Sequence, residues 1–466
     1  MPNPLRILLF GAGSRGRDAY GRYALEHPDE VKIVAVAEPH PVRRKQFARA
    51  HGIPPHRQFP GWEEALAGGK IADAVINATQ DEMHHASALG AIAAGYDMLL
   101  EKPVAPTLPQ TLDILRAAEQ AGHILMISHV LRYTTFFQNV HRIIQSGWLG
   151  QVINISHSEN VAYYHMAHSY VRGNWRNDQI SASMILAKCC HDLDLITWVL
   201  AEKAVQLSSV GSLRHFRPEN APGGAPMRCT DGCPAAETCP YYAPRIYLDS
   251  LPIKHAVSQS DKWLFRTIGR WTLRHPGLMK AIGKGIPYLR TLTEYSGWPR
   301  NTITEFPESD AAVLEALRKG PYGRCVYHCD NNVVDHQIVS MLFESGITAT
   351  LTMHGHSHQE GRTLRVDGSQ ATLLGKNTYS QSWLAVHDHV TGEVEQLTFP
   401  AEVEGAGGHS GGDQGLIRSF VNAIQGDKLP LTSVRNSFES HLLAFAAEEA
   451  RLGNKTVDMN AFRENA

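Results

Sequence analysis

At 466 residues, with 43% hydrophobic and 19% charged residues, the chain is too long for one ordinary core and too apolar for a disordered one. A formal net charge of −2 offers no overall field to draw in nucleic acid or an anionic membrane, which leaves small molecules as the expected partners. No run approaches the roughly 20 apolar residues that cross a bilayer. The early Ile7-Leu8-Leu9-Phe10 is too short for an export leader, so a cytoplasmic location is expected. Seven cysteines, an odd number in a long chain, argue against a secreted disulfide framework.

Along the first 130 residues, short apolar runs at 5–11, 32–38, 72–79, 97–101 and 123–128 alternate with helical stretches at 16–26, 42–51, 82–94 and 108–121. This alternation predicts an α/β fold, a doubly wound parallel sheet of the Rossmann type, over residues 1–130. The chain changes character near Gly150. A strand at 151–160 and a long helix at 181–201 come first, and strands near 333–342, 348–356, 363–366 and 371–374 follow. Helices at 415–423 and 433–452 close an α+β region, 131–466, with a mostly antiparallel sheet. Residues 214–323 do not fit that sheet and are read as an insertion. It contains a basic stretch, 262–290, with Trp263, Phe265 and Trp271 among its apolar positions; such a segment could lie on a membrane surface, but a helical cover with its apolar face packed on the protein is expected.

Gly11-Ala12-Gly13-Ser14-Arg15-Gly16 directly follows the first strand and opens a helix. Glycines there allow a tight turn and close approach of a pyrophosphate, with the helix N-terminus facing its charge. An acidic residue, Glu38, ends the second strand about 20 residues on, placed to accept from a ribose 2′-hydroxyl. The expected cofactor is NAD; Arg43 and Arg44 behind Glu38 leave NADP open.

Glu101-Lys102-Pro103 ends a strand, preceded by Thr79-Gln80-Asp81-Glu82-Met83-His84. Together with the glycine turn, these motifs resemble the Gfo/Idh/MocA family over nearly the whole chain outside the insertion. The resemblance implies a dehydrogenase acting on a sugar, polyol or related compound, and a homo-oligomer. Thr79, His84, Glu101 and Lys102 would lie at the cofactor, with Lys102 beside both nicotinamide and substrate. A lysine desolvated there has a lowered pKa and can relay a hydroxyl proton. The family's D-x-G-x-H signature is only partly kept in Ala187-Lys188-Cys189-Cys190-His191. His191 matches the histidine and implies a general base, whereas Ala187 and Cys189 replace the aspartate and glycine. Lys188 is new to the pattern; it shares a helix face with His191 and Asp192, where it could lower the histidine's pKa or pair with Asp192. His129, Arg132, Tyr163, Trp175 and Arg176 fall where the family lines its substrate pocket. Two other activities are compatible with these residues: glycoside cleavage by transient oxidation without net redox, and an inactive cofactor-binding protein.

Cys229-x3-Cys233-x5-Cys239, with Cys325 and Cys329 beyond, could close a structural zinc site through Cys229, Cys233, Cys239 and Cys329 (or Cys325). His354, His356 and His358 alternate on one strand face, where subunit contacts are the simpler account. Asp413, in a glycine loop ahead of a helix, is expected to cap it.

Overall fold

The computed structural model describes residues 3–260, 262–283, 285–399, 411–426 and 430–466. Lys284 of the basic stretch lies outside them. Six strands form the first sheet: β1 (Leu5–Phe10), β2 (Val31–Ala37), β3 (Gln58–Phe59), β4 (Ala74–Asn77), β5 (Asp97–Leu100) and β6 (Leu125–Ile127). All pair in parallel in the order β3-β2-β1-β4-β5-β6, so the strand order reverses between β1 and β4. Ligands bind outside the carboxyl ends of such strands at that reversal. Both faces are covered, and for this reason Ile7, Leu8, Leu9 and Phe10 are all buried instead of alternating. A late segment closes the free edge of β6: Ile127 donates to Thr432 and Met126 bridges Ser433.

The second sheet has nine strands: β7 (Val152–Ala162), β8 (Ala204–Ser212), β9 (His336–Phe343), β10 (Thr348–Ser357), β11 (Gly361–Gly368), β12 (Ala371–Thr378), β13 (Ser382–Asp388), β14 (Val394–Thr398) and β15 (Thr456–Asp458). Their order is β14-β13-β12-β11-β7-β10-β9-β8-β15, antiparallel throughout except where β7 meets β10. The helix Met184–Leu200 packs on this sheet and on the helix Val434–Gly453, with only Lys188 and Trp198 not fully buried. Among the described residues, the stretch 214–323 adds helices and turns and no strand to the sheet. It reaches back to the helical segments that follow β2 and β1, where Glu305 pairs with Arg43 (2.7 Å) and Asn301 donates to Asp18 (3.2 Å).

One expectation about that stretch is overturned. Trp263 is 69% and Trp271 51% exposed on the helix Trp263–Arg274, so these two do not pack on the protein, whereas Phe265 is half-buried. The helix rests instead on its opposite side, through Gly269 and Thr272.

Candidate active site

The turn after β1 is shaped by steric necessity. Gly11 takes φ +81°, and a Cβ on it would come within 2.4 Å of the Ala78 carbonyl oxygen; one on Gly16 would meet the Gly11 oxygen at 2.0 Å. Gly13 differs, because nothing lies within 4 Å of where its Cβ would be. Packing inside the chain does not require glycine there; open space for a pyrophosphate does. Glu38 is buried beside the turn, accepting from the amides of Ala12 and His40 (both 2.9 Å), with Arg43 at 3.5 Å. A carboxylate so fixed suits a ribose diol, and the residues present fit a dinucleotide. Gly13→Val is therefore expected to weaken NAD binding at least about tenfold, with stability changed by no more than about 0.5 kcal/mol. Isothermal titration and thermal melts would check both.

Arg15 and Ser14 point elsewhere than a phosphate. Arg15 Nε donates to Glu101 Oε1 (2.6 Å) and Nη2 to Asp413 Oδ1 (2.7 Å), while Ser14 Oγ donates to Asp18 (3.3 Å). Asp413 thus pairs across to the glycine turn, and the N-cap of its own helix is Gly411. Glu101 also accepts from Tyr20 (2.6 Å) and Ser128 (2.6 Å). Burial alone would raise its pKa, but Arg15 and the hydrogen bonds from Ser128 and Tyr20 take it down to about 2. Glu101 is consumed in anchoring the strand end. His84 ties the neighbouring turn to it, with Nδ1 at 2.7 Å from the Pro103 oxygen and Nε2 at 3.3 Å from that of Thr79. Thr79 itself donates to Asn77 Oδ1 (2.8 Å).

Held by this anchor, half-buried Lys102 donates from Nζ to the Ala187 carbonyl (2.7 Å) in the first turn of the helix Met184–Leu200. That places the lysine against the segment carrying Lys188 and, one turn on, His191. His191 Nδ1 lies 3.4 Å from His129 Nδ1. His129 is wholly buried, and burial, then Arg132 and Lys102, holds its pKa well below the usual value. A neutral His129 behind His191 can fix the latter's ring orientation. Behind both, His441 Nε2 accepts from the Val104 amide (3.0 Å) and Nδ1 donates to Ser437 O (3.0 Å). Burial and the neighbouring His129 depress the His441 pKa to about 3. The unfolded chain protonates this histidine below pH about 6.5, the folded chain only near 3, so the folded state loses stability as pH falls through that window. In His441→Gln the pH slope of chemical-denaturation free energy between about 6.5 and 3 is expected to flatten.

Lys188 does not pair with Asp192. Its Nζ lies 2.9 Å from Glu360 Oε1 and 3.2 Å from Glu159 Oε1, while Asp192 binds His157 (2.7 Å) and Arg362 (2.7 Å). Burial opposes charge on Lys188, but Glu159 and Glu360 outweigh it and raise its pKa. Lys188 is a fixed cation. Glu360 also accepts from the Ala162 amide (2.8 Å) and approaches His165 Nδ1 (3.0 Å). The sequence reading missed this Glu159–Glu360–Arg362–His165 group, since its members come from three segments.

The remaining pocket candidates separate. Tyr163 is half-buried and packs edge-on to Tyr164 and Tyr241. Trp175 donates to Asp81 Oδ2 (2.8 Å), which Ser181 also reaches (3.1 Å), so this loop is latched to the turn after β4. Arg132 makes a bidentate pair with Asp194 (2.7 and 2.6 Å) in the interior, and Arg176 pairs with Asp330 (2.8 Å). Neither guanidinium is left for a substrate.

Zinc finds no support. Among the described residues, no group of three or more His, Cys, Asp or Glu could hold a metal, and the seven cysteines are free thiols. The physical reason is local: the buried Arg172 guanidinium donates to Cys229 Sγ (3.5 Å), putting a cation where a metal would sit. The histidine trio also disperses, His354 to Asn160 (3.1 Å) and His356 onto the Phe216 ring.

Comparison with known proteins agrees with this architecture. Residues 5–129 match the family described as oxidoreductase family, NAD-binding Rossmann fold, and residues 137–245 match the GFO/IDH/MocA C-terminal domain. Inositol 2-dehydrogenase of Corynebacterium glutamicum is 25% identical over 214 residues, covering 44% of this chain and 57% of that one. The 2,7-anhydro-N-acetylneuraminate hydratase of Escherichia coli K12 is 24% identical over 156 residues, 33% and 41% respectively. The chain thus spans about half the length of the curated relatives it matches. An oxidoreductase from Agrobacterium radiobacter, solved with NAD+, L-tartaric acid and magnesium, superposes with TM-score 0.64 at 15% identity, covering 98% of this chain and 99% of that one, a likeness of fold. With both family regions matched in order, the chain belongs to the Gfo/Idh/MocA family of NAD-binding oxidoreductases.

Proposed function

We propose that the protein is an NAD(P)-dependent dehydrogenase acting on a CH–OH group of a sugar, polyol or related cyclic compound. The observation that carries this reading is Lys102, anchored through Glu101 and seated by Nζ on the Ala187 carbonyl, one helical turn from His191. A nicotinamide cofactor held at the glycine turn and Glu38 would supply the hydride acceptor for the substrate carbon. Lys102 holds and polarises the reacting hydroxyl, and His191, backed by His129, takes its proton. Lys188, kept cationic by two carboxylates, binds a second hydroxyl or an anionic substituent. Glu38 favours NAD over NADP, since a carboxylate repels a 2′-phosphate. The similarity to an inositol 2-dehydrogenase points to the same substrate class.

A second reading has its own observation. Ala187 stands where the family has aspartate, with Lys188, Glu360 and His165 grouped beside it, so the polar lining differs from the dehydrogenase pattern. The similarity to a hydratase fits this second reading, transient oxidation without net redox. One assay separates the two readings: purified protein with NAD or NADP against sugars, polyols and aryl glycosides, following reduced nicotinamide and aglycone release together. Reduced cofactor in stoichiometric yield supports the dehydrogenase. Cofactor-dependent aglycone release without it supports transient redox, and neither product with any substrate sinks both.

A further inference from the structure

We infer that the helical face around Trp263–Arg274 is a docking surface for an anionic lipid bilayer. The helix lies on its neighbour Leu251–Ser258 by one side only, where a Cβ on Gly269 would come within 2.5 Å of the Ser258 amide nitrogen. Turned the other way are Trp263 (69% exposed), Leu264 (50%) and Trp271 (51%). Leu264 and Trp271 are seven residues apart and Trp263 and Trp271 eight, so the three share a face. Leu278 and Ile282 on the helix Pro276–Gly283, and Ile286 after it, are exposed as well.

Charge identifies the occupant. Residues 262–290 contain seven Lys or Arg and no Asp or Glu, in a chain whose net charge is −2. Arg266, Arg270 and Arg274 recur every fourth residue and form a stripe beside the tryptophans. Two copies of such a face would repel each other, which disfavours a homodimer through it. A polyanion such as nucleic acid gives no reason for exposed Leu264, Leu278, Ile282 and Ile286. Indole rings at headgroup depth, aliphatic side chains just below, and arginines reaching up to phosphates match an anionic membrane interface on every count. Among the described residues no helix is long and apolar enough to cross a membrane, and the proposed contact is peripheral. The expectation of a chain without membrane contact rested on net charge, which averages this patch away.

The test uses the full chain with vesicles of phosphatidylcholine alone and of phosphatidylcholine with phosphatidylglycerol. Cosedimentation and tryptophan emission are followed for wild type, the double variant W263S/W271S and the double variant R270E/R274E. All four substitutions lie on exposed positions, and thermal melts matching wild type would verify folding. The expected result is binding to the anionic vesicles with blue-shifted emission. It should be at least about tenfold weaker on phosphatidylcholine alone and for each variant, and weaker at high salt. Absence of binding, equal binding to both vesicle types, or variants binding like wild type would overturn the inference. So would sedimentation velocity showing that the variants dissociate an oligomer while vesicles remain unbound.

Discussion

Lys102→Met is expected to lower kcat by about 10²–10⁴ while leaving NAD affinity near its original value. Methionine retains the length and the apolar stem but has no proton to donate and no charge to hold a hydroxyl. The lysine's ammonium donates to the Ala187 carbonyl, which is already part of a helix, so its loss leaves no buried charge behind. The fold should therefore tolerate the change, and the loss should appear in kcat once the substrate is known. Steady-state kinetics with a coupled binding titration would check this. A variant with undiminished kcat would remove Lys102 from the chemistry. Lys188→Met is a contrasting case: it strands Glu159 and Glu360 without their shared cation, so its damage should register in stability as well as in KM.

The second large effect is on stability. Arg132→Met removes one half of a bidentate ion pair whose partner, Asp194, is almost completely inaccessible to water. Breaking a buried pair from one side costs about 3–5 kcal/mol, because the remaining charge has neither water nor partner. Burial already tends to raise the Asp194 pKa against the pull of Arg132, and without the guanidinium the carboxyl should take up a proton at higher pH. Urea denaturation should thus show a large loss at neutral pH that narrows as the solution is acidified. Removing Arg132 and Asp194 together, with apolar residues of similar volume, should recover part of the loss. If Arg132→Met instead left stability intact and raised only KM, the residue would be a substrate ligand after all.

These two residues also show where sequence reasoning succeeds and where it stops. The parallel sheet was legible because strands buried on both faces become unbroken apolar runs, as in Ile7-Leu8-Leu9-Phe10, and because Gly11 and Gly16 answer a local steric demand. The ends of β7, β9, β10 and β12 were legible to within a few residues for a similar reason. By contrast β8 is broken up by Ser208, Ser209 and Gly211, β14 is largely exposed, and β13 carries no turn signal strong enough to set it apart. Site chemistry was legible only where one motif held it. The glycine turn, Glu38 and Lys102 belong to such motifs. Arg132 could be read as a pocket candidate because Asp194 is 62 residues away, and pairing of Lys188 with Asp192 stayed open because its real partners lie on β7 and just before β11. The same blindness made five cysteines resemble a metal site, since nothing in their spacing announced Arg172 among them.

The place of β7 in the second sheet has a consequence for how the protein is made. This strand, complete by residue 162, pairs on one side with β10 and on the other with β11, neither of which exists until the ribosome has passed residue 348. At about 5–20 residues per second, β7 waits roughly ten to forty seconds for its first neighbour. The first sheet faces no such delay among its own strands, all of which are present by residue 127. Over that interval both edges of a central strand stand open in the nascent chain, the condition under which strands pair with the wrong partner.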